Sequence, residues 1–547
     1  MRGVFELAPP EAYFIGLGSV TGIYAHHGFL IHGEWHLYGP DLAIWHVVPL
    51  ALLFTARAYY GGSDASWILY CLALASYSYF ISLATSIVLY RAFFHPLTRE
   101  RFPGPWYARV TKLWHCWAVR HSKNFLVLHE MHAKYGDFVR TGPSEITVFR
   151  PEVFMAIDGP RSKCVKADWY DLLHPDQALV TARNKAKWKY NARVSRNVDQ
   201  LDKCIESDAE SDAPTSVRDL AYFFCFDTMG DISFSKSFQM MQNQGWHLTI
   251  ARLQRALSLL GPTSPAPWLF HIGFRIAPRV GVLRDWFEAL AWCAEQMRDR
   301  LENKHSEQPA GDLTHYLMEK GGQVGNDDAE HWLTGDSLFS IVAGSAPASA
   351  TLVCILFMLA KHPHHAETIY SELNIADITD PNALSQLVHL NAVINETMRL
   401  YPAALSSGAR KTTECGVTIG KTFIPPETTI LCPRYTISRS ENIFKSLFIY
   451  FSSSLFDPRW LGMKFIPERW STRLEMLRNS AAFTPFGTGH QSCLGRTVAI
   501  DMMRLAVAKL VKKYQFSLVP GNRVEEDMVD EFLMKPGNLS LKFNFRR

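Results

Sequence analysis

From Ala65 to Tyr90 the chain runs for 26 residues without a charged side chain. About 20 apolar residues suffice to cross the hydrocarbon core of a bilayer, so this stretch predicts a transmembrane helix. Residues 1 to 90 contain no Lys, and two shorter uncharged stretches precede the long one, Ala12 to Gly33 and Leu42 to Ala56. The first is diluted by His26, His27, His32 and five glycines, and the second holds Pro49, so each is either a span or an interfacial segment. A cleaved secretory leader fits poorly, because the apolar region is too long, opens with Glu6 and Glu11, and lacks a basic start.

Arg91, Arg99, Arg101, Arg109 and Lys112 follow the long stretch, whereas only Arg2 and Arg57 come before it. Basic residues stay on the cytosolic side, so residues 1–91 read as a membrane anchor of one to three segments, in a membrane such as the endoplasmic reticulum, with residues 92–547 in the cytosol. A cytosolic body agrees with ten cysteines scattered without any CxxC pair, which argues against a disulfide framework or a zinc site. It also makes the acceptor-like Asn395-Glu396-Thr397 and Asn538-Leu539-Ser540 chance matches. Fifty-six Lys and Arg against 52 Asp and Glu leave a net charge of +4, too little for nucleic acid to be the main partner. Phe102-Pro103-Gly104-Pro105 predicts a rigid turn where anchor meets body. The body has no repeat or linker and reads as one mainly α unit with small β-sheets. Helical periodicity is clearest over Gly335 to Lys361, Ala383 to Leu400 and Thr497 to Tyr514, with Thr334 as a cap and Pro363 as a stop for the first. Strand-like alternation marks Val139 to Phe149 and Leu539 to Phe545.

Phe486-Gly487-Thr488-Gly489-His490-Gln491-Ser492-Cys493-Leu494-Gly495 stands immediately before a helical pattern. Backbone N–H groups at a helix start favour a thiolate, which predicts a lowered thiol pKa for Cys493. Gly487, Gly489 and Gly495 permit a tight loop and the close approach of a flat ligand. Taken alone, the same segment leaves a competing reading, a buried cysteine after a glycine-rich turn.

The loop resembles the haem-binding signature of the cytochrome P450 family, F-x-x-G-x-R-x-C-x-G, through Phe486, Gly489, Cys493 and Gly495. Glu396 and Arg399 resemble the family's ExxR pair, at a spacing where helical side chains meet, and Arg469 in Phe465-Ile466-Pro467-Glu468-Arg469-Trp470 resembles the third member of its buried cluster. Tyr90 to Leu97, Tyr135 to Pro143, Lys166 to Asp171 and Phe226 to Asp231 look like membrane-bound fungal members, many of which serve secondary metabolism. The resemblance implies a P450 fold, Cys493 as thiolate ligand of haem iron, and the use of dioxygen with electrons from an NADPH-cytochrome P450 reductase.

Three departures qualify the resemblance. The family's Arg two residues before the ligand is Gln491, so Arg410, and more weakly Arg193 near Trp188, become candidates for the haem propionates; for each, a solvated surface charge is the competing reading. Ala343 and Gly344 match the first two residues of the oxygen-groove motif A-G-x-[DE]-T-[TS], but its acid is Ala346 and its alcohol Pro347. A proline inside a helix frees the carbonyl four residues back, here that of Ala343, for a relay water, with Ser345, Ser349, Thr351 or a substrate hydroxyl as proton donors. Residues 443 to 456 are longer and more apolar than the family's usual approach to the PER segment, and are a membrane contact, an extra helix or an unspliced intron. The expected walls of the substrate pocket are Phe339 to Thr351 and the Ala403 to Gly408 turn, whose apolar character suits a lipophilic small molecule such as a terpenoid or polyketide intermediate. Two rival readings are a haem-dependent isomerase or dehydratase that needs no reductase, and a non-enzymatic haem-binding or membrane-scaffold protein.

Overall fold

The computed structural model describes residues 9–32, 35, 37–59, 65–159, 162–169, 187–302, 313, 326–406, 408–440, 443–444, 464–489 and 492–546. The expected insertion therefore lies almost wholly outside the described residues, as do Gln491 and the side chain of Trp188.

All three N-terminal stretches are helical: Pro10–Ala25 continued by a π turn at His26–Leu30, Gly39–Tyr59 running through Pro49, and Ala65–Leu89 continued by a π turn at Tyr90–Phe94. The run Trp67–Arg99 is long and apolar enough to cross a membrane, and none of its apolar window is buried inside the protein. The first and third helices pack through Gly18 and Gly22. A Cβ on Gly18 would stand 2.1 Å from the Ala75 carbonyl oxygen, and one on Gly22 would stand 2.2 Å from Ser82 Oγ. Small residues four apart let two helix backbones close on each other where lipid offers no hydrophobic drive for association.

The Phe102 to Pro105 turn docks on the first strand of the body. Arg140 N–H donates to the Pro103 carbonyl at 2.7 Å, and Gly104, at φ 154°, lies where a Cβ would meet the Arg140 carbonyl at 2.4 Å. That strand, Phe138–Gly142, pairs antiparallel with Glu145–Val148, so Val139 to Phe149 is a hairpin. The sheet continues through Thr429–Leu431 and Arg410–Lys411 to Val165–Lys166. A second small sheet joins Tyr514–Leu518 to Ser540–Phe545.

The remaining described body is mostly helical and is organised around Asn326–Lys361. This helix begins well before Thr334, which lies inside it and does not cap it; the start came from residues ahead of the apolar periodicity that marked Gly335. Its second half is apolar on every face, and Ala348 to Ala360 are all buried. By length and composition Gly335–Lys361 also qualifies as a span, but 78% of its apolar window is buried in the protein, which makes it the central core helix. Pro363 does follow its end, as the first residue of the next helix, Pro363–Leu373. The predicted helix Ala383 to Leu400 is broken into Pro381–Gln386 and Val388–Leu400, because Leu387 is extended at ψ 113°.

Candidate active site

Val388–Leu400 carries Glu396 and Arg399 on one buried face, and both are fully enclosed together with Arg469. Arg399 Nε and Nη2 donate to the two Glu396 oxygens at 2.9 and 2.8 Å, and Arg469 Nε donates at 3.0 Å. Trp470 Nε1 and the Ile466 N–H add donors, each at 2.9 Å. Burial alone would raise the Glu396 pKa, but Arg399 and Arg469 outweigh it and hold the carboxyl below its usual range. Arg399 also donates to the Ser438 and Lys464 carbonyls at 2.8 and 3.0 Å, so one helix is tied to two otherwise irregular segments. The sequence shows the three charged residues; Trp470, next to Arg469, is a further donor that carries no charge or spacing to mark it.

The cysteine loop is held to this framework by its backbone. Cys493 N–H donates to the Phe486 carbonyl at 2.7 Å and Gly487 N–H to the Thr484 carbonyl at 3.1 Å. Gly487 and Gly489 occupy the left-handed region at φ 71° and 60°. A Cβ on Gly489 would lie 1.9 Å from the Asp158 carbonyl oxygen, so the loop touches the C-terminal end of the helix Glu152–Asp158 where only hydrogen fits. Cys493 precedes the helix Arg496–Lys513 by three residues and keeps exposed surface, so its sulfur opens on space. Gly495 and Arg496 N–H groups and the Arg496 charge all pull the thiol pKa down, but surrounding protein pushes it up more, and the net direction is upward. This corrects the expected lowering: the helix start supplies the donors, while desolvation by the enclosing protein is larger.

Neither proposed propionate arginine is a solvated surface charge. Arg410 is buried and donates to Asp158 Oδ1 at 2.6 Å. Arg193 is buried against Asp231 and Ser235, with Nη1 at 3.1 Å from Ser235 Oγ. Arg410 nevertheless stays beside the cysteine loop, since its partner Asp158 is the residue that Gly489 abuts. Arg193 is engaged by Asp231, near the end of the helix Val217–Phe234, and by Ser235 just beyond it.

On the core helix, Phe339 and Ala343 are exposed and Pro347 is half-buried, four residues apart in succession and hence on one open face. Gly344 turns toward Met229, whose Cε lies 2.5 Å from where a Cβ would be. Two expected proton donors face elsewhere: Ser345 is buried with its hydroxyl on the Cys225 carbonyl at 3.3 Å, and Ser349 is buried on the Ser345 carbonyl at 2.8 Å. Thr351 is buried as well and donates to the Pro347 carbonyl at 2.8 Å, so the open face ends at Pro347.

The cytochrome P450 family model matches residues 176–543, which hold the Glu396 cluster, the core helix and the Cys493 loop. The chain belongs to the cytochrome P450 family. This P450 is similar to fungal relatives over nearly its whole length. It is 28% identical to tryprostatin B 6-hydroxylase of Aspergillus fumigatus, over 93% of this chain and 91% of the relative. It is 30% identical both to the monooxygenase phqL of Penicillium fellutanum (96% and 94% covered) and to FCK2 of Fusarium pseudograminearum (99% and 100%). The crystal structure of the cytochrome P450DA haem domain shares the fold, with a TM-score of 0.61 and 15% identity over 78% of this chain and 94% of that one. The P450 is thus a haem-dependent monooxygenase that uses dioxygen, a redox partner and a substrate, with a cysteine thiolate on the iron. An open sulfur flanked by N–H donors, in a loop whose glycines leave no side chain in the way, fits that group.

Proposed function

We propose that this P450 is a membrane-anchored monooxygenase, with residues 1–91 as anchor and 92–547 as catalytic domain, that oxidises a lipophilic intermediate of fungal secondary metabolism. The placement of Cys493 carries the reading: an exposed sulfur at the foot of the helix Arg496–Lys513, backed by the N–H groups of Gly495 and Arg496. Haem bound through Cys493 would supply dioxygen activation and oxygen insertion into a C–H bond. Phe486 and Gly489 shape the loop, Arg410 stands beside it for a propionate in exchange with Asp158, and Glu396, Arg399 and Arg469 hold the framework. Ala343 and Pro347 lie on the open face of the core helix where dioxygen would be received, Gly344 sets the close packing behind them against Met229, and the Ala343 carbonyl, deprived of a Pro347 N–H, is the water site of the proton relay. Electrons come from an NADPH-cytochrome P450 reductase on the cytosolic face of the endoplasmic reticulum, and the run Trp67–Arg99, whose apolar window has no residue buried inside the protein, supports lipid as a partner.

The test is the reduced carbon-monoxide difference spectrum of microsomes carrying the full chain. A Soret band at the thiolate position, lost in Cys493→Ala, is expected; no such band, or one that survives the substitution, would remove the assignment. The replacement of the acid and alcohol by Ala346 and Pro347 favours a second reading, an isomerase or dehydratase on the same haem. Turnover of a fed intermediate without reductase would select it.

A further inference from the structure

Among the described residues a cavity of about 290 Å³ opens between the first sheet, the Ala403 to Gly408 turn and the C-terminal hairpin Val529–Glu531/Leu533–Lys535. Its wall leads to the cysteine loop: Ser406, Gly408 and Ala409 run into Arg410, which pairs with Asp158 against Gly489. The hairpin is clamped to the same turn by the Met534 N–H, which donates to the Ala403 carbonyl at 2.8 Å.

One wall holds a directional chain of hydrogen bonds. Lys112 pairs with Glu145, and its Nζ also lies 3.3 Å from His115 Nδ1. A cationic nitrogen can only donate, so His115 Nδ1 accepts and its Nε2 carries the proton, 2.9 Å from Asn124 Oδ1. Asn124 Nδ2 then donates to Ser406 Oγ at 2.9 Å, and Ser406 donates to Asp530 Oδ2. Every donor in the series points toward Asp530, and the series stops there on a carboxylate that lines the cavity and is 3% exposed.

A buried carboxylate is costly unless a cation meets it. The nearby cations are engaged elsewhere: Lys123 donates to the Glu526 carbonyl at 2.8 Å and to that of Met528, Lys535 pairs with Glu531, Lys112 with Glu145, and Arg91 donates to the Val110 carbonyl at 2.9 Å. Among the described residues none bonds the Asp530 carboxylate. Beside it the hairpin tip, Phe532, is held at φ 71°, unusual for a bulky side chain, and its ring stacks on Trp169 at 4.0 Å between centroids. Both rings line the same cavity. A buried carboxylate that no described cation meets, next to an aromatic wall, is the chemistry that holds a protonated amine.

We propose that Asp530, with Phe532 and Trp169, binds a cationic nitrogen of the substrate, so that the lipophilic molecule oxidised here is an amine. The inference rests on the monooxygenase reading and narrows its substrate class. Asp530 would act as a positioning residue, fixing one end of the molecule while another part faces the core helix.

Equilibrium dialysis of the full-length, haem-loaded protein against a matched pair tests it: N,N-dimethyl-4-phenylbutylamine, protonated at neutral pH, and its uncharged carbon isostere (5-methylhexyl)benzene. The parent should bind the amine at least about tenfold more tightly than the isostere. Asp530→Asn should abolish the preference while leaving isostere binding and haem content unchanged. Equal affinity for the two compounds in the parent, or binding of neither, overturns the proposal without recourse to any variant, as does a preference that survives in Asp530→Asn. The carbon-monoxide spectrum separates the two levels: with the thiolate band present and no amine preference, only the amine assignment fails; without the band, the monooxygenase reading fails as well.

Discussion

Replacing Glu396 by Gln keeps the volume of the side chain and removes its charge. The carboxylate is fully buried and accepts five N–H groups: two from Arg399, one each from Arg469 and Trp470, and the Ile466 backbone. A carboxamide has one acceptor oxygen. In its better orientation the new NH2 replaces Oε2, where Arg399 Nε and Trp470 Nε1 donate, so at least these two donors are left facing another donor. Bonds to charged groups contribute about 1.5–3 kcal/mol each, and breaking a buried ion pair from one side costs about 3–5 kcal/mol; we take about 4 kcal/mol. Unfolding entropy of about 2.1 cal/mol/K per residue, over a body of this length, converts that to a fall of about 4 °C in the midpoint. The measurement is thermal unfolding of the purified full chain by circular dichroism. Because the folded-state pKa of Glu396 is depressed, its stabilisation is present above the unfolded value near 4.3 and is lost as pH falls through the folded value. The deficit of Glu396→Gln should therefore shrink in strong acid. A midpoint within about 1 °C of the parent at neutral pH would refute the reasoning, since it would mean the two guanidinium groups need no buried anion.

Gly489→Ala should reduce haem incorporation severely, because the added methyl would stand 1.9 Å from the Asp158 carbonyl oxygen in a left-handed backbone; the haem-to-protein ratio checks it. Pro347→Thr restores an N–H for the Ala343 carbonyl and should change both turnover and the coupling of NADPH use to product; a variant equal to the parent in both would discard the relay water. Burial first, and the Glu531 charge after it, push the Asp530 pKa up to about 6 against the Ser406 hydrogen bond. A carboxyl raised in this way favours the folded state only while protonated, so stability falls as pH climbs from about 4 to about 6. Asp530→Asn should therefore be more stable than the parent by about 2–3 kcal/mol at pH 7 and equal to it near pH 4, in urea titrations at the two pH values.

Much of the architecture is legible in local pattern. The uncharged run Ala65 to Tyr90, which holds neither Gly nor Pro, forms a helix continued by a π turn, and the strands at Val139 to Phe149 and Leu539 to Phe545 follow alternation of period two. The cysteine loop and the Glu396–Arg399 pair were visible because each has a short-range part, the Cys493 N–H on Phe486 and the Arg399 guanidinium one turn from Glu396, although Arg469, Trp470 and Asp158 complete them from far along the chain. Boundaries failed where local signals conflict. The core helix starts at Asn326 rather than beside Thr334, and Leu387 interrupts what periodicity read as one helix.

What the sequence alone determined is the set of side chains that can act only in one way: a thiol before a helix, glycines in positive φ, a carboxylate and an arginine one turn apart. Partner choice across the chain was decided by tertiary structure. Arg410 meets Asp158, 252 positions away, in place of open solvent, Ser345 and Ser349 turn into the core, and Asp530 ends a chain of donors that starts at Lys112. These outcomes depend on which buried polar groups can satisfy one another once the layers have packed. That is a property of the assembled interior, where an unpaired charge costs several kcal/mol, and no local window of residues contains it.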